Sequence, residues 1–212
     1  MEKNLDKTLS EIKNAFVVIN KHLFGGSLPE PVLVVQASHR AKMGAMGWFT
    51  LGKLWKNKET GECFNEITIC SETLTQSLHT ILEVLVHEMV HLYCMVNNIK
   101  DCSGRGGYHN KLFKQNAEKF LLKTNDIPDK RYGYGYTSPT AELIEFLEMI
   151  GIDEEAFNLG ETAPYLPPKR YTMHIYDCKC GASFKTSANL AAIQCAVCGK
   201  EFVKREQNLK VS

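Results

Sequence analysis

The chain contains no apolar run long enough to cross a bilayer, and no apolar core follows its charged first residues, Met1 to Lys7. These two absences argue against a membrane span and against an export signal. No internal repeat is visible, so the architecture is not a repeat array. Net charge is also nearly absent, at +1 over 212 residues, but the charges are segregated. Residues 38–58 carry Arg40, Lys42, Lys53, Lys56 and Lys58 and no acid. Residues 137–163 carry Glu142, Glu145, Glu148, Asp153, Glu154, Glu155 and Glu161 and no base. From residue 169 onward Lys and Arg outnumber the acids. Such blocks bear on partners and docking rather than on fold.

What is present is an ordinary globular composition, 44% hydrophobic and 23% charged. The length suits one good-sized core with a small appendage. Eight cysteines without an export signal point to thiols and metal ligands in a reducing compartment, with the cytoplasm as the expected location.

His87-Glu88-Met89-Val90-His91 lies inside the apolar run Ile81–Leu92. Four residues along a helix turn it by about 400°, so the two imidazoles project from the same side, one turn apart. That spacing suits a single tetrahedral Zn²⁺, with Glu88 beside the open position as a general base. A metal also accounts for polar groups that would otherwise be desolvated among aliphatic side chains. His109, beyond the Gly-rich loop at residues 103–107, is expected at the start of a second amphipathic helix, on the face shared with Leu112 and Phe113. It is the preferred third ligand, and Glu118 on the same helix is the rival. Three imidazoles would leave the zinc an open position for hydrolytic chemistry, with peptide-bond hydrolysis the expected reaction. Tyr93 and Tyr108 are candidates by residue type alone for stabilising an oxyanion.

The predicted elements are a helix carrying Leu5, Leu9, Ile12, Phe16, Ile19 and Leu23, a buried strand at Val32–Val35, and strands over 44–54 and 66–69. A long central helix holds the motif, capped by Ser71 or Thr73. Residues 132–168 read as an acidic Tyr/Gly/Pro connector with a local helix begun by Ser138-Pro139. In the tail, Cys178-x-Cys180-Gly181 and Cys195-x-x-Cys198-Gly199 suit a Cys₄ zinc ribbon, giving two zinc ions per chain. The resulting organisation is a core over 1–131, a connector over 132–168 and a ribbon with tail over 169–212.

Lys42, Trp48, Phe49, Lys53, Trp55, Lys56 and Lys58 interleave cations with aromatics. Such a surface holds a phosphate backbone while bases stack on exposed rings. The plainer alternative is that Trp48 and Phe49 belong to the core and the lysines to a solvated face. The net positive balance of the ribbon favours nucleic acid.

Taken together, Leu28-Pro29-x-Pro31, Met46-Gly47-Trp48-Phe49, Ile67-Thr68-Ile69, His87-Glu88-Met89-Val90-His91, His109-x-x-x-Phe113 and the four tail cysteines resemble the SprT-like, or Spartan, family of zinc metalloproteases. Asn110 stands where a Gly commonly follows the third His of that family. The resemblance implies an α+β fold with a zincin-type core (an N-terminal helix, a small β-sheet, the H-E-x-x-H helix and a second packed helix) and a C-terminal zinc ribbon. It implies His87, His91 and His109 as zinc ligands and Glu88 as catalytic base. It further implies protein substrates trapped on DNA and activation by DNA, often with single-stranded character. Two other functions compete with this one: an inactive or regulatory zinc-containing nucleic-acid-binding protein, and a zinc peptidase with no DNA role.

Overall fold

Helix α2, Leu78–Val96, is apolar around most of its circumference, with Ile81, Leu82, Leu85, Val86, Met89, Val90 and Leu92 all buried. A helix of this kind must be covered on several sides, and the rest of the larger unit supplies the cover. The structure is a computed structural model describing residues 5–38, 45–103, 107–159 and 173–205. The chain forms two units, Met1–Tyr165 and Leu166–Ser212.

In the first unit, α1 (Leu5–Leu23) buries Ile12, Phe16 and Ile19, while Leu5 at its start is exposed. Strands β1 (Val32–Gln36), β2 (Gly47–Lys56) and β3 (Cys63–Cys70) form a sheet in the order β1-β3-β2. β1 runs parallel to β3 and β2 antiparallel to it. Central β3 carries the buried Ile67, Thr68 and Ile69. β1, expected to be buried, is an edge strand and only half-buried. The register of β2 jumps from Thr50↔Glu66 to Trp55↔Phe64. Leu51 to Leu54 therefore bulge outward, and the Asn65 side chain donates to the Gly52 carbonyl at 3.2 Å.

The cap of α2 differs from expectation. Ser71–Thr75 forms a separate 3₁₀ turn, and extended Gln76 interrupts the helical path. Ser77 therefore caps α2 by accepting from the Thr80 amide. The Thr73 hydroxyl instead donates to the Met46 carbonyl at 2.7 Å. At the far end Asn98 adopts φ +56°, and the Ile99 amide closes the helix on the Cys94 carbonyl.

A two-stranded ladder, β4 (Cys102–Ser103) with β5 (Tyr108–His109), leads into α3 (Lys111–Lys119). Residues 132–159, expected as a connector, are packed into this unit. β7 (Thr137–Pro139) pairs with β6 (Leu122–Thr124), and α4 (Ala141–Met149) buries Leu143 and Leu147 in the same core as α2. Thr140 caps α4, because Ser138 and Pro139 are already committed to β7. Thr8 on α1 donates to the Ala156 carbonyl at 2.6 Å and holds the end of the segment in place. The sequence pattern missed this because short strands and a nine-residue helix bury only a few side chains each.

The second unit is a small antiparallel sheet in the order β10-β8-β9, from β8 (His174–Asp177), β9 (Ser183–Thr186) and β10 (Val203–Lys204). Stacked Tyr176 and Phe184 (5.3 Å), with Phe202 edge-on at 4.9 Å, make up much of its apolar content. Among the described residues no helix is long and apolar enough to cross a membrane.

Candidate metal centre

His87 and His91 leave the same side of α2, their ring centroids 5.1 Å apart. His109 reaches them from β5 rather than from the second helix. Asn110 accepts from the amides of Leu112 and Phe113 and so caps α3, which excludes His109 from the helix. Leu112, expected on the buried face with Phe113, is exposed. Asn110 is thus the residue that starts α3. Its side chain also donates to the Lys100 carbonyl at 2.7 Å.

The Nε2 of His109 lies 3.3 Å from that of His87 and 3.1 Å from that of His91. Each Nδ1 faces away from the cluster toward a partner of its own. His87 Nδ1 meets the Thr137 hydroxyl at 3.0 Å, His91 Nδ1 meets the Asp101 carboxylate, and His109 Nδ1 meets the Tyr132 carbonyl at 3.2 Å. A proton on each Nδ1 satisfies those oxygens and leaves three Nε2 lone pairs converging on one point. All three rings rest on buried Phe113, at centroid distances of 4.8, 4.8 and 4.5 Å.

The electrostatics match this division for His87 and His109. Burial, with His91 and His109 as neighbours, holds His87 well below the usual histidine range. Burial and His91 bring His109 down to about 4. Burial opposes charge on His91 too, but its bonds to Asp101 and Cys102 outweigh it and push the ring up to about 10. Two neutral imidazoles beside a third that sits against a carboxylate form a donor set that favours a cation in its midst.

Zinc–nitrogen bonds of 2.0–2.1 Å in a tetrahedron place the nitrogens about 3.3–3.4 Å apart, so the observed spacings fit zinc. In the second unit the four thiols also converge, with Cys178 Sγ 3.4 Å from Cys198 Sγ and Cys180 Sγ 3.7 Å from Cys195 Sγ. A ZnS₄ tetrahedron requires about 3.8 Å. The amides of Cys198 and Val197 donate to Cys195 and lower its thiol to about 7, toward the thiolate that a metal needs.

Glu88 is buried, 4% exposed, and lines the same cleft of about 620 Å³ as the three histidines. Burial raises its carboxyl to about 7, although His91 and the donated Phe49 amide act in the opposite direction.

A model of the SprT-like family matches residues 12–132. The chain belongs to the SprT-like family. Members of the SprT-like family are generally zinc-metalloprotease-like, and the histidine cluster fits a metallopeptidase-type site. Neither the curated proteins nor the solved structures compared with the chain match it.

The SprT-like match ends at Tyr132, yet the residues just beyond it hold the site together. Gly133 has φ +63°, and a Cβ there would lie 2.0 Å from the His109 carbonyl oxygen. A Cβ on Gly135 would lie 2.4 Å from His109 Nδ1. Glycine at these two positions lets the chain run flat against the third histidine. Gly135→Ala is expected to displace that ring and weaken zinc binding by about 10–100-fold. Competition with a chromophoric chelator measures this; unchanged affinity would show that the ring position is not critical.

Of the other anticipated residues, Glu118 stays outside the cluster, paired with Lys114 at 3.1 Å. Trp48 lines the cleft and is half-buried. Lys53, Lys56 and Lys58 are exposed on the outer half of β2 and the turn after it; Trp55 is 46% exposed, and its indole donates to Glu66 at 2.7 Å. Lys42 lies outside the described residues. Tyr93 is engaged with Lys119 at 2.8 Å, and the tyrosines lining the cleft are Tyr132 and Tyr136. Sequence reasoning missed Asp101, Glu83 and Thr137. Only Glu83 left a signal, as a lone carboxylate one turn before His87 in an apolar stretch.

Proposed function

We propose that this chain is a zinc-dependent endopeptidase with a zincin-type core, acting on DNA-bound or DNA-crosslinked proteins. Glu88 is its catalytic base, His87, His91 and His109 are its catalytic zinc ligands, and Cys178, Cys180, Cys195 and Cys198 hold a second, structural zinc. The observation that carries this reading is the placing of a buried carboxylate and three converging imidazole lone pairs in one cleft. Zinc bound there supplies Lewis acidity toward a carbonyl and toward water. Glu88 takes the proton of the attacking water on a carboxylate oxygen and delivers it to the leaving amine. Gly47–Leu51 of β2, an edge strand of the described sheet, line the cleft, so an extended substrate segment laid along them can pair as an added strand.

The DNA part of the proposal rests on Trp48, Lys53, Trp55, Lys56 and Lys58, with Lys42, and on the basic ribbon. The bulge of β2 adds exposed Leu51 and Leu54 to that surface. Four thiols gathered at one point support a reducing, cytoplasmic setting. One observation favours a peptidase with no nucleic-acid role: several proposed DNA-contacting groups of each unit already have partners, with Trp55 on Glu66 in the first and Arg205 on Asp177 and Lys204 on Asn189 in the second.

Proteolysis measured with and without single-stranded DNA separates the two readings. The DNA reading expects stimulation, together with binding that weakens as salt rises, because phosphate contacts release counterions. Lys53→Ala and Trp55→Ala should lower DNA affinity while leaving DNA-free cleavage intact. Cleavage indifferent to DNA would leave the simple peptidase.

A further inference from the structure

Glu83 is an acid on the buried side of α2, 8% exposed, one helical turn before His87. Burial raises its carboxyl, and an isolated carboxylate in such surroundings is costly. The structure gives it a specific partner: the Thr137 hydroxyl donates to Glu83 Oε1. The same hydroxyl oxygen lies 3.0 Å from His87 Nδ1. A hydroxyl has a single proton. Because it is given to Glu83, the contact with His87 must run the other way, with Nδ1–H donating to the Thr137 oxygen. That direction fixes the tautomer of His87 and turns its Nε2 lone pair toward His91 and His109.

Thr137 belongs to β7, past the end of the family match, and is brought to α2 by the pairing of Thr124 with Thr137 between β6 and β7. We propose that Glu83 and Thr137 are positioning residues for His87, so that the docking of β7 on the core sets the metal affinity of the site. This rests on reading the three histidines as a zinc site. His91 takes its orientation from Asp101 and His109 from a main-chain carbonyl, so His87 is the ligand whose orientation depends on a strand outside the family region.

The experiment is zinc binding by the full chain, measured by chelator competition on wild type, Thr137→Val, Thr137→Ser, Glu83→Ala and the double variant Glu83→Ala/Thr137→Val. Thermal melting of each variant checks the fold. Valine keeps the shape of threonine without the hydroxyl, and serine keeps the hydroxyl. Thr137→Val and Glu83→Ala should each weaken the histidine site by about 10–100-fold, as expected for loss of a ligand's orienting partner. Thr137→Ser should bind as wild type, and the double variant should be no weaker than the worse single one. Wild-type affinity in Thr137→Val, or a Thr137→Ser as weak as Thr137→Val, would overturn the relay. Fully additive losses in the double variant would also overturn it, since they would make the two side chains independent. If instead wild type binds no zinc that His87→Ala removes, the zinc reading itself fails.

Discussion

Glu88→Gln is expected to keep both zinc ions and the fold and to lose proteolysis by about 10²–10⁴-fold, the contribution of a positioned general base. Glutamine preserves the shape of the side chain and can still accept the Phe49 amide that Glu88 accepts. It cannot carry a proton from water to an amine. The substitution also relieves a strain on the native protein, because burial and the neighbouring Glu83 and Asp101 all disfavour charge on Glu88. The variant should therefore melt no lower than wild type while failing as a catalyst. Zinc content, melting temperature and cleavage of an unfolded protein substrate check the three parts. A variant that cleaves at the wild-type rate would remove Glu88 from the chemistry.

His109→Ala should remove one zinc and leave the other. His109 supplies one of three converging nitrogens, and its loss leaves His87 and His91 with too few protein donors for a catalytic set. The tail ion depends on four thiols in a different unit and should stay. Glu118→Ala should leave both ions bound, since Glu118 is engaged with Lys114 and lies outside the cluster. Elemental analysis of the purified variants reads the result directly. Loss of the histidine-site metal in Glu118→Ala, with retention in His109→Ala, would reverse the assignment.

The elements that were legible in the sequence bury long periodic stretches. The stripe of α1, the apolar run of α2 and the alternation at Ile67–Ile69 each commit several side chains to one face, and the pattern records that commitment. The two histidines of α2 were legible for the same reason, because helical spacing alone places them on one side. The tail cysteines were legible because thiols in closely spaced pairs have few other uses in a chain of this kind. Elements that bury one or two residues left no such record. β4, β5, β6 and β7 are two or three residues each, and their existence depends on partners remote in the chain. The segment over 132–168 accordingly reads as a connector with a local helix.

The sequence by itself determined that this protein has an H-E-x-x-H helix at its centre, a histidine within reach beyond a Gly-rich loop and a four-cysteine tail. These follow from local periodicity and from the chemistry of the residue types. Tertiary structure decided how the imidazoles are aimed. The partners of their Nδ1 atoms, Thr137, Asp101 and the Tyr132 carbonyl, lie 50, 10 and 23 residues from the histidines they hold. A hydrogen bond spanning those separations has no period, so no local pattern announces it. It forms only once packing has brought β7 and the Tyr132–Gly135 segment against α2 and β5.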